Sequence, residues 1–95
     1  MNQEQIAGLL DSMKLDLGML NTTSYDERFT QLLQVSYEQI TAEGATLNLD
    51  VISDCNLIVM YASWLWRKRA SGEGMPRMLR YALNNRVIGE KANGQ

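Results

Sequence analysis

Ninety-five residues with a net charge of −2 allow one domain with a modest core, because a chain this short buries roughly 60–65% of the surface that its unfolded form exposes. A hydrophobic content of 45%, a charged content of 21% and a single proline exclude a disordered chain. The complete lack of histidine removes the commonest general base and the commonest metal ligand, so neither an enzyme nor a cofactor or metal site is expected.

The spacing of apolar residues predicts four helices and no strand of comparable strength. In the first, from about Gln3 to Leu17, Ile6, Leu9, Leu10, Met13 and Leu17 recur at three-and-four spacing, and Gly18 can end the helix. This N-terminal stretch has no basic segment leading into an apolar run, so no secretion signal is expected. The second helix is predicted to begin at Ser24, where Ser24 and Glu27 have the spacing of a capping box. Phe29, Leu32, Leu33, Ser36 and Ile40 then share one face up to Gly44.

The third helix is predicted from Asn48 or Asp50 to about Ala70. Asp50 and Asp54 stand four residues apart, a spacing open to a metal-binding pair, but acids near a helix N-terminus are already favoured by its dipole. Cys55 has no second cysteine to pair with, as suits a reducing cytoplasm. It reads as a buried structural thiol, not a reactive one. Residues 57–66 (LIVMYASWLW) are apolar on every side, which demands enclosure by the bundle or by neighbouring chains. The run is only about half of what a bilayer requires, so no membrane span is expected. Trp64 and Trp66 are about 200° apart on the helix. Either one lies in the core and the other faces a neighbour or lies along the surface, or flanking helices cover both.

Arg67, Lys68 and Arg69 close this helix where cations suit its dipole, and residues 71–74 form a flexible turn. Pro76 is expected in the first turn of a fourth helix, with Met78, Leu79, Ala82 and Leu83 inward and Arg77, Arg80 and Asn84 on another face. That helix is expected to fade near Val87 or Ile88, giving a domain over residues 1–88 and a flexible tail over 89–95.

Charge divides the chain. Residues 1–55 hold nine acids against Lys14 and Arg28, whereas residues 56–95 hold seven bases against Glu73 and Glu90. Such a split suits contact of one end with another between copies, or of the basic end with an acidic partner.

The segment YASWLWRKRASGEGMPRMLRYALNNRV, residues 61–87, resembles the C-terminal part of the head-tail connector family of tailed bacteriophages, whose members are also described as head-tail adaptors or DNA-packaging proteins. An aromatic and aliphatic helix ending in basic residues, then a helix of the type of residues 75–86 (MPRMLRYALNNR), carries the likeness. The N-terminal half matches more loosely, through residues 13–18 (MKLDLG) and 25–28 (YDER). The resemblance implies an all-α protein, a small bundle of about four helices with a long central third helix, that assembles into a ring of about a dozen copies. The ring would join the portal protein to the stopper or tail-completion protein at the virion's head-tail junction, around the channel through which DNA passes, after synthesis in the bacterial host cytoplasm. No catalytic residue comes with it.

The residues expected at contacts between helices or subunits are Tyr61, Trp64 and Trp66. Arg67, Lys68, Arg69, Arg77, Arg80 and Arg86 are expected to meet acidic surfaces of a neighbouring copy, the portal, or DNA held without sequence preference. For any single one of these cations a solvated charge, worth under about 1 kcal/mol, is the competing reading. The alternative function is a small helix-turn-helix DNA-binding regulator using residues 77–86, with Arg77, Arg80 and Asn84 at a major groove. An isoelectric point near 5.0 weighs against it. A structural module that merely dimerises is the third reading.

Overall fold

The chain forms four α-helices: α1 (Gln3–Leu17), α2 (Asp26–Ala42), α3 (Ile52–Ser71) and α4 (Arg77–Asn93). The computed structural model describes the backbone of residues 1–93 and the side chains of residues 1–89, and no strand occurs among the described residues. The fold is therefore all-helical, as the apolar spacing predicts.

Each helix end has a local cause. Asn2 and Gln5 form a capping box at the start of α1, each side chain accepting from the other's backbone amide. Gly18 ends α1 in the left-handed region at φ 70°, where a side chain would be strained. At α2 the expected Ser24–Glu27 box does not form. The helix starts at Asp26, its N-cap is Tyr25, and no side chain caps it. Tertiary packing sets this entry instead. The Tyr25 ring lies 5.0 Å from Trp66, and Asp26 is ion-paired with the buried Lys14 at 2.9 Å.

Helix α3 begins at Ile52, later than Asn48 or Asp50, because Asn48 folds a turn over itself: its side chain accepts from the Asp50 amide at 2.9 Å. Gly72 ends α3 at φ 67°. Pro76 precedes α4 instead of lying within its first turn, and its carbonyl accepts the first helical bond, from Arg80. α4 continues past Val87 and Ile88 to Asn93. Of the tail expected over residues 89–95, residues 94 and 95 lie outside the described residues.

Helix α3 is the hub. It packs against α1, α2 and α4, while α1 and α2 also pack on each other. The molecule measures 45 × 31 × 18 Å, and the short dimension is that of two helix layers. Met13, Phe29, Leu33, Ile40, Ile58, Leu79 and Leu83 are fully buried at the centre. Burial of each such side chain contributes about 1.5–3 kcal/mol. All five residues of the predicted α2 face are buried. In α4 the inward stripe is narrower than expected: Leu79 and Leu83 are buried, but Met78 faces outward.

The apolar run 57–66 is enclosed by the chain's own helices. Seven of its ten residues are buried, and Met60, Leu65 and Trp66 are half-buried. Of the two enclosures expected, the bundle's own serves here, because α1, α2 and α4 all pack on α3. The charge division is likewise partly used inside one chain, since Asp16, Glu43 and Asp54 of the acidic half pair with Arg67, Arg80 and Arg86 of the basic half. No helix among the described residues is long and apolar enough to cross a membrane.

Candidate functional site

The aromatic residues singled out in the sequence pack between helices. Tyr61 is buried and meets Trp64 edge-on at 5.6 Å. Trp64 is 9% exposed, and its indole N–H donates to the carbonyls of Glu73 and Gly74 at 3.3 and 3.1 Å. The ring thereby fastens the turn between α3 and α4 to the body of α3. Trp66 points the other way, as its offset requires, and packs edge-on to Phe29 at 4.7 Å and against Tyr25. Trp64 is thus a core ring, whereas Trp66 lies half-buried along the surface against α2.

Helical spacing also places a cation over each indole. Lys68 lies four residues after Trp64, with its ammonium 4.5 Å from the ring, and Arg69 lies three after Trp66, with its guanidinium at 3.6 Å. Arg67 reaches Glu73 at 3.6 Å and, more loosely, Asp16 at 4.0 Å. Lys68, Arg69 and Arg28 rim a cleft of about 740 Å³, open to solvent, over Leu32, Val35 and Leu65.

The cations of α4 are placed differently from one another. Arg86 reaches inward: its Nε donates to the Asp54 carboxylate at 2.9 Å, and an NH2 group donates to the Thr46 carbonyl. Asp54 is buried in the first turn of α3 and also accepts from the Asn48 amide at 2.9 Å. Its carboxylate is thus occupied by Arg86 and the backbone, and among the described residues no three His, Cys, Asp or Glu side chains gather as metal ligands would. Arg80 pairs with Glu43 at 3.3 Å, with both half exposed, while Arg77 is exposed. Cys55 is half-buried, its thiol donating to the Leu49 carbonyl at 3.1 Å. Burial, then Asp54 and Asp50, push this thiol up, away from the reactive thiolate.

No family model, curated protein or solved structure matches the chain. The site must therefore be read from its own surface. Its most distinctive feature is an outward stripe on α4. Met78, Tyr81 and Ile88 are 76%, 62% and 64% exposed, and Asn85 continues the same line. Their spacing of three, four and three is the signal that would have found them: it is a helical stripe lying opposite Leu79 and Leu83. On the far side of α3, Ser12, Leu15 and Asp16 of α1 and Asn56, Val59 and Met60 of α3 line a groove of about 470 Å³.

Proposed function

We propose that this chain is a structural head-tail connector subunit of a tailed bacteriophage or prophage, working as a ring that joins the portal protein to the stopper or tail-completion protein. The reading rests on the resemblance of residues 61–87. It is supported by one structural observation: the α4 part of that segment presents Met78, Tyr81 and Ile88 to solvent as one helical stripe, opposite the buried Leu79 and Leu83. A helix held on the body by Leu79, Leu83 and Arg86, with an apolar outer stripe, is suited to contact between subunits.

A structural role also fits the chemistry of the residues. The sequence holds no histidine, and its one thiol is pushed toward the protonated form. Genome DNA would be a passenger in the channel, met without sequence preference by exposed cations such as Arg77 and Lys68. The alternative regulator has less to work with, since Arg80, one of its three groove-facing residues, is paired with Glu43. Mass measurement in solution tests the proposal. A large ring, formed alone or with portal protein, is the expected result; a strictly monomeric or dimeric species even with portal present would sink it.

A further inference from the structure

We infer that the outer face of α4 on one copy docks into the α1–α3 groove of the next copy, so that the contact between copies is head-to-tail. The inference rests on the ring reading above and names the two surfaces that would build it.

Position comes first. Asp54 and Tyr61 lie on the side of α3 toward α4, the first through Arg86 and the second beside Arg80. Asn56 is about 200° further round from Asp54, and Val59 and Met60 continue that opposite side, where they line the groove. On α4, Tyr81 is likewise about 200° from the buried Leu79, so its stripe points away from α3. Stripe and groove therefore stand on opposite flanks of one molecule. Two different surfaces placed back to back give heterologous contacts, which close into a ring or extend as a filament, whereas a two-fold dimer needs one self-complementary patch.

Charge points the same way. Residues 74–89 contain no acid, and Arg77 is exposed beside the stripe. The outer side of α1 carries Glu4, Asp11 and Asp16, all exposed, while its one base, Lys14, is buried against Asp26. Two α4 faces brought together would set Arg77 near Arg77 and leave Glu4 and Asp11 of α1 away from the contact, Asp16 being already near Arg67 at 4.0 Å. An α4 face on an α1–α3 groove pairs basic with acidic around an apolar middle, where Leu15 is 66% exposed and Val59 forms the floor.

The experiment uses two full-length variants. Met78→Glu with Tyr81→Glu disables the stripe and keeps the groove; Ser12→Glu with Leu15→Glu disables the groove and keeps the stripe. All four positions are exposed, so both variants should fold, as circular dichroism would check. Sedimentation should find each variant monomeric alone, and a one-to-one heterodimer when they are mixed, because one productive contact survives. As a trap for weak association, Leu15→Cys with Tyr81→Cys in a Cys55→Ser background should give, on oxidation, a ladder extending beyond the dimer.

A stripe variant that still assembles to the wild-type mass overturns the inference and leaves the connector reading standing. A mixture that gives no heterodimer, a ladder that fails to appear, or a Tyr81→Cys single variant that cross-links to itself and stops at dimers also overturns it. A ladder and heterodimer with no closed ring, even with portal protein, would keep the contact and sink the ring.

Discussion

Asp54 and Arg86, thirty-two residues apart, join the first turn of α3 to the far part of α4 through a 2.9 Å bond between carboxylate and guanidinium. The two ends of this pair are unequally buried, with side chains 5% and 29% exposed. Removing the arginine strands a buried anion, whereas neutralising the acid leaves a cation that can still reach water. Arg86→Met should therefore destabilise by about 3 kcal/mol or more. Asp54→Asn, which keeps an oxygen for the Asn48 amide, should cost roughly half as much. Urea unfolding of both variants checks the order, and an equal or reversed cost would show that the asymmetry of burial does not govern the pair.

Trp64 and Trp66 should both lower the stability of the monomer when cut back, but in different places. Trp64→Ala removes a buried ring, costing about 3–5 kcal/mol, and also frees the turn before α4 by deleting the donor to Glu73 and Gly74. Trp66→Ala, at a half-buried site, should cost about 2 kcal/mol and loosen the start of α2 through Tyr25 and Phe29. Hydrogen exchange locates the effects. Faster exchange over residues 73–80 in the Trp64 variant alone is expected; identical patterns in the two would count against it.

Ser63 is fully buried in α3, and its hydroxyl has no hydrogen-bond partner among the described residues. A buried hydroxyl without a partner is a cost, and alanine has nearly the same volume. Ser63→Ala should be neutral or stabilising by about 1 kcal/mol. A thermal melt that falls by several degrees would show that the hydroxyl is satisfied after all.

Alkaline pH should weaken the fold in two stages. Burial, then Glu43, raises the Tyr61 phenol, with Arg80 opposing; burial, then Asp54 and Asp50, raises the Cys55 thiol. Each group holds its proton to higher pH when folded than when unfolded, so the unfolded chain binds fewer protons and stability falls as pH rises. The thiol's share begins to be lost near its ordinary value, about 8.5, and the phenol's near about 10, each loss ending above the raised folded value. Below about pH 7.5 neither contributes a slope. Cys55→Ser should remove the first decline and Tyr61→Phe the second in urea midpoints measured from pH 7 to 11.

Local signals carried much of the fold. The α2 face came through whole, from Phe29 to Ile40, because a five-residue apolar stripe has few ways to be buried. Gly18 marked the end of α1 for an equally local reason. The Asn2–Gln5 box was legible by the same spacing rule that suggested Ser24–Glu27. The rule could not say that Tyr25 would be drawn to Trp66, or Asp26 to Lys14, and so move the second N-cap one residue along, from Ser24 to Tyr25.

The candidate site was less legible. The spacing of Met78, Leu79, Ala82 and Leu83 predicts an inward stripe, yet a helix turned slightly about its axis buries 79 and 83 and exposes 78, 81 and 88. Only the partner surface sets that rotation. The groove that would receive the stripe is built from two segments forty or more positions apart, which no local pattern brings together.

By itself, then, the sequence determined that this protein is helical, where most helices run, and that histidine chemistry is closed to it. These follow from residue inventory and from a period of 3.6, both properties of short stretches of chain. The tertiary structure decided that α3 is covered by its own chain, that acidic and basic halves pair across it, and that α4 keeps an apolar side to offer. Those depend on which faces meet, and burial free energy is settled by contacts between distant segments, not by the composition of any one of them.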